Sequence, residues 1–132
     1  MNSKTFFEQE VERLMKDDSL PDHHYAYIRQ SKAFMEKYYG EKIELEKIAA
    51  AAFMSRFHYI RIFQQVYGRT PRQYLKDLRI EKAKELLKKG NPVSQTCFDV
   101  GYSSIQTFSR IFKQGTGYSP GAYQKLNNSN PE

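Results

Sequence analysis

Apolar residues recur every three or four positions along most of the chain and strict alternation is scarce, so the pattern predicts helices almost throughout. Thr5 and Glu8 have the spacing of a capping box, and Phe7, Val11, Leu14 and Met15 then share one face of a short leader helix. Asp17-Asp18-Ser19-Leu20-Pro21 stops it. Further helices are expected at about 25–39, closed by Gly40, at 44–52, and from just after Ser55 to Gly68. Thr70-Pro71 opens the next, a Thr cap followed by Pro at the first helical position. It runs to about Lys89, with Leu75, Leu78, Ala83, Leu86 and Leu87 inside, and Gly90-Asn91-Pro92 breaks it. Short helices near 93–100, 104–114 and 120–126 follow, and 127–132 reads as a polar, disordered tail.

An internal repeat organises these helices. Arg61-Ile62-Phe63-Gln64-Gln65-Val66-Tyr67-Gly68-Arg69-Thr70-Pro71 matches the run from Arg110-Ile111-Phe112 to Ser119-Pro120 at a constant offset of 49, and Tyr74 matches Tyr123. Two copies are too few for a solenoid, so the pattern predicts two similar small units joined by a helix. Each unit is a short helix, a tight turn and a longer helix. Ile48, Ala49 and Ala52 pack the first short helix, and Thr96, Cys97 and Val100, with Gly101 in the turn, are their counterparts. Small residues let two helices approach closely, as a helix-turn-helix requires.

The longer helices each carry two stripes. Tyr59, Ile62, Phe63 and Val66 form the expected buried stripe of the first, and Phe108, Ile111, Phe112 and Gly115 that of the second. The opposite stripe is Phe57, Ile60, Arg61 and Gln64 in the first unit and Gln106, Ser109, Arg110 and Lys113 in the second, free of Asp and Glu in both. Such a face suits a DNA major groove: Arg pairs with guanine, Gln with adenine, and Phe or Ile meets a thymine methyl. A solvated helix face is the bland alternative, and a protein-docking face built on Phe57 and Ile60 is another. Two apolar side chains beside an arginine weigh against idle surface.

Charge favours the polyanion. The chain carries +6 overall, yet residues 1–24 hold three basic and six acidic side chains, which leaves +9 on the rest. The helix from Pro71 to about Lys89 spans about 28 Å at 1.5 Å per residue, near the ~34 Å between successive major-groove faces. Its surface is expected to expose Arg72, Lys76, Arg79, Lys82, Lys84, Lys88 and Lys89, some toward phosphate and others paired with Asp77, Glu81 and Glu85.

From about Ile43 to Lys125 the chain resembles the paired helix-turn-helix domain of the AraC/XylS family of bacterial regulators. The resemblance rests on Ile48-Ala49 through Met54-Ser55, Arg61-Ile62-Phe63, Gly68-Arg69-Thr70-Pro71, and Tyr74-Leu75 with Leu78-Arg79. It continues through Ala83, Leu86-Leu87, Val100-Gly101-Tyr102, Phe108 to Phe112 and Gly117-Tyr118-Ser119-Pro120 with Tyr123. Phe53 departs from it, standing where glycine is frequent, as do Thr96-Cys97 in place of Ile-Ala and Ile60 and Ile105 at positions where polar base-readers could sit. The resemblance implies an all-α, homeodomain-like fold of about seven helices, with two helix-turn-helix subdomains joined by a central linker helix, plus the short N-terminal helix. The domain is then 23–126, its first helix-turn-helix about 44–67, its linker about 71–89 and its second helix-turn-helix about 93–114, behind a leader of 1–22.

The resemblance further implies double-stranded DNA as partner and two recognition helices in adjacent major grooves. Phe57, Ile60, Arg61 and Gln64, with Gln106, Ser109 and Arg110, are expected at bases, and Ser55, Arg56, His58, Arg72, Ser104 and Lys113 at phosphates. Activation through RNA polymerase and a cytoplasmic, nucleoid-associated location are expected with it. The leader is too short for the separate sensing domain most members carry, so the chain resembles the small stand-alone members or a piece of a longer regulator. The leader helix either packs on the domain or contacts a dimer mate or partner.

Little else competes. His23-His24 cannot face one metal from a helix and has no Cys nearby, so no metal or cofactor is expected. The single cysteine, Cys97, reads as a small buried hydrophobe, and one cysteine makes no internal disulfide. No phosphate-binding glycine loop, catalytic carboxylate pair or Ser-His-Asp set is present, so no enzyme is expected. No run approaches the roughly 20 apolar residues of a membrane helix.

Overall fold

The computed structural model describes residues 23–128. The expected leader helix, 1–22, and the last four residues lie outside them. Seven helices and no strand occur among the described residues: α1 (His23–Tyr38), α2 (Leu45–Ala51), α3 (Arg56–Tyr67), α4 (Pro71–Lys88), α5 (Val93–Asp99), α6 (Ile105–Thr116) and α7 (Pro120–Asn128). The chain divides into two compact units between Leu75 and Lys76, inside α4.

In the first unit α1, α2 and α3 enclose Tyr27, Ile28, Met35, Ile48, Ala49, Ala52, Tyr59 and Phe63, all nearly or fully removed from solvent. An aromatic file runs through it: Tyr27 meets Tyr59 at 5.9 Å between ring centroids, Tyr59 meets Phe63 at 6.0 Å, and Phe63 meets Tyr67 at 4.9 Å and Tyr74 at 6.0 Å. The buried Tyr59 hydroxyl donates to Ser31 Oγ (3.0 Å), which donates to the Ile28 carbonyl (2.8 Å). Burial pushes the Tyr59 hydroxyl well above the usual phenol range. Lys32 pairs with Glu36 at 2.9 Å and lies over the Tyr67 and Tyr74 rings, and the Tyr74 hydroxyl bonds Glu36. Desolvation first, then that hydrogen bond, pushes Tyr74 up to about 12.

In the second unit the later part of α4 supplies the wall. Its Ile80, Ala83 and Leu87 are buried with Thr96, Cys97, Val100, Phe108 and Phe112. Phe108 meets Phe112 at 5.7 Å, and Phe112 meets Tyr123 at 5.3 Å, repeating the Tyr59, Phe63 and Tyr74 file of the first unit 49 residues later. Gln124 Nε2 donates to the carbonyls of Leu87 (3.0 Å) and Asn91 (2.7 Å), tying α7 to the end of α4. Arg79 does not stand on open surface as expected. Its guanidinium lies 5.5 Å from the Tyr102 ring centroid and is partly buried, and desolvation lowers its pKa.

The expected stripes need two corrections. Val66 is 38% exposed, while the Phe63 of the same stripe is buried against Tyr67 and Tyr74. Gly115 is exposed and Ile111 only half-buried. Asn127 and Asn128, expected in the polar tail, belong to α7, and the Asn127 side-chain amide donates to the Tyr123 carbonyl at 2.8 Å.

Candidate nucleic-acid interface

Both longer helices are started and stopped by the same devices. Ser55 caps α3 by accepting from the His58 N–H (3.1 Å), and Ser104 caps α6 by accepting from the Thr107 N–H (3.2 Å). Gly68 and Gly117 end them in the left-handed region at φ 75° and 87°, donating to Gln64 and Lys113 carbonyls. Thr70 and Gln73 then exchange bonds at the head of α4 as a reciprocal capping box (3.0 and 3.2 Å).

The turns before these helices also match. The Met54 N–H donates to the Ala49 carbonyl (2.9 Å) and the Phe53 N–H to that of Ala50 (3.0 Å). In the second unit the Tyr102 N–H donates to the Cys97 carbonyl (3.0 Å) and the Gly101 N–H to that of Phe98 (3.1 Å). Both are Schellman closures, which need a left-handed residue: Gly101 at φ 102° in one, Phe53 at φ 57° in the other. Ala49 and Cys97 are 48 positions apart but Ser55 and Ser104 are 49 apart, so the second turn holds one more residue.

The turns set the outward faces of α3 and α6. On α3, Phe57 is 75% exposed, Arg61 and Gln64 are exposed and Ile60 is half-buried, while Tyr59, Ile62 and Phe63 face the core. On α6, Gln106, Arg110 and Lys113 are exposed and Ser109 is half-buried, while Phe108 and Phe112 face the core. Neither helix contains an acidic residue. The seven residues expected at bases thus fall on two helix faces, four on one and three on the other.

The residues expected at phosphates are less uniform. Ser55 and Ser104 are engaged as caps, and Ser104 Oγ also donates to Gln106 Oε1 (3.2 Å). Arg56 Nη1 is held by Glu46 at 3.0 Å, with its guanidinium 5.9 Å from the Phe57 ring centroid. His58 meets His24 of α1 edge to face at 5.4 Å. Arg72 and Lys113 are exposed. Sequence reasoning missed the Glu46–Arg56 pair, which joins side chains ten positions apart on different helices and leaves no periodic trace.

Cys97 is buried with Sγ 3.6 Å from the Tyr102 carbonyl, and burial pushes its thiol up, as suits an inert core residue. Among the described residues no group of His, Cys, Asp or Glu can hold a metal ion, and no helix is long and apolar enough to cross a membrane.

Two matched short-helix, turn, longer-helix units with capped outer helices define a paired helix-turn-helix protein. Residues 48–126 match the family described as a helix-turn-helix domain, and the chain belongs to that family, of the AraC type. It is 36% identical over 94 residues to the MmsAB operon regulatory protein of Pseudomonas aeruginosa, covering 70% of this chain and 31% of that protein. It is 34% identical over 101 residues to the uncharacterised HTH-type transcriptional regulator YdeC of Bacillus subtilis, covering 76% and 35%. The chain therefore spans about a third of the length of these curated relatives. Among solved structures it is similar to the DNA-binding domain of the global transcriptional factor AdpA in complex with a target DNA, with a TM-score of 0.73 and 27% identity over 77% of this chain and 93% of that one. It is also similar to the C-terminal domain of AraT, a response regulator from Geobacillus stearothermophilus, with a TM-score of 0.72 and 28% identity over 76% and 84%.

Proposed function

We propose that the protein is a sequence-specific, double-stranded-DNA-binding transcription regulator that sets α3 and α6 into adjacent major grooves. The observation that carries this reading is the pair of acid-free outward helix faces, in a fold similar to a domain whose structure holds its target DNA. Phe57, Ile60, Arg61 and Gln64, with Gln106, Ser109 and Arg110, meet bases. Arg72 and Lys113 meet phosphates, joined by Ser55, Ser104, His58 and an Arg56 that Glu46 orients. Recruitment of RNA polymerase, and so activation, is the consequence that the family resemblance supports, and the nucleoid is then where the protein acts.

Selection of bound duplexes from a random double-stranded pool tests this. The expected product is a site with two short motifs about one helical turn apart. A single motif would leave one unit without base reading, and absence of any enrichment would reject sequence-specific binding altogether.

A further inference from the structure

We propose that the first unit reads its half of the site through thymine methyl groups, with Phe57 and Ile60 as the residues that set this preference. The inference deepens the DNA-binding reading and rests on it. The two outward faces match in register but differ in chemistry. At the two leading positions of the stripe α6 carries Gln106 and Ser109, both able to donate and accept hydrogen bonds, whereas α3 carries Phe57 and Ile60, which can do neither.

Phe57 is 75% exposed, and the Arg56 guanidinium lies 5.9 Å from its ring centroid. That guanidinium is anchored on Glu46 at 3.0 Å, so its nearest fixed partner is a carboxylate of its own chain rather than a base edge. Polar reading in this unit is then left to Arg61 and, a turn further on, Gln64. The Phe57 and Ile60 positions are separated by about 4.5 Å along the helix, a little more than the ~3.4 Å between stacked base pairs. They therefore suit methyls on neighbouring base pairs. Among the groups that base pairs expose in the major groove, the thymine C5-methyl is the apolar one, so it is the feature these side chains can bury.

The test uses the full chain and the duplex recovered by selection, resynthesised with deoxyuridine in place of each thymine in turn. This removes the methyl and keeps the base pair. We expect one or two positions, confined to one motif, at which the substitution weakens binding about fourfold, the equivalent of roughly 0.8 kcal/mol per buried carbon. Phe57→Ala or Ile60→Ala should abolish that sensitivity, and Arg110→Ala should leave it intact. At the same positions cytosine should bind poorly and 5-methylcytosine should recover part of the loss. Specific binding indifferent to every methyl would overturn the proposal while leaving the DNA-binding reading standing. So would a sensitivity that persists unchanged in both alanine variants, or a selected site lacking thymine. Failure of the protein to select any duplex would sink both.

Discussion

Phe53 is the one described non-glycine residue at positive φ, and its side chain is 94% exposed. The left-handed backbone costs an L-residue of this kind on the order of 1 kcal/mol, and no buried contact repays it. Phe53→Gly should therefore raise stability by up to about 1 kcal/mol in a urea titration without changing the recovered DNA motif. A loss of affinity would give the exposed ring a part in recognition. Thr96 is the opposite case: fully buried, with its hydroxyl lacking a partner, at the position where the first unit has Ile48. Replacing it with the isosteric Val removes an unsatisfied polar group, so Thr96→Val should stabilise by about 1 kcal/mol, and destabilisation would mean that the hydroxyl is bonded in solution. At the interface, Arg110→Ala should cost about 1–3 kcal/mol of binding and relax the preference at one base position. Equal loss on all sequences would make Arg110 a phosphate contact instead.

At the scale of the helix, most boundaries could be read in advance because their signals are local and chemical. α3 begins after Ser55 and stops at Gly68, and Thr70-Pro71 starts α4, as expected, whereas α6 was expected over 104–114 and instead has Ser104 as its cap and Gly117 as its stop. A Cβ built on either glycine meets nothing within 4 Å, so alanine there suffers from backbone conformation alone. Gly68→Ala and Gly117→Ala should each destabilise by about 1 kcal/mol, read as lower urea midpoints at unchanged slope. What periodicity could not supply was the extent of each packed face. Val66 continues the i, i+3, i+4, i+7 pattern, yet it is exposed while Phe63 is buried against Tyr67 and Tyr74. Arg79 reads as one more surface cation until Tyr102 is folded beneath it, an aromatic contact 23 positions away in the chain. The outward stripes were legible because the 49-residue repeat marks the same face twice.

For the whole molecule the repeat pairs two similar units whose outward residues differ. The two units share serine caps, left-handed turn closures and an aromatic core, and differ at matched outward positions, Phe57 and Ile60 in one against Gln106 and Ser109 in the other. Exposed cations at Arg72 and Lys113, with Arg56 shared by Glu46, should make binding salt-dependent. With two to three phosphates neutralised, log affinity should fall against log salt with a slope of about −2 to −3. A flat profile would point to a protein-docking face instead. The most direct test of two-unit reading is the affinity for the selected duplex compared with two versions of it, each with one motif scrambled and the other intact. Each scrambling should weaken binding at least about tenfold, since a mismatched base pair typically costs about 1–3 kcal/mol. A duplex that keeps full affinity with either motif scrambled would contradict reading by both units.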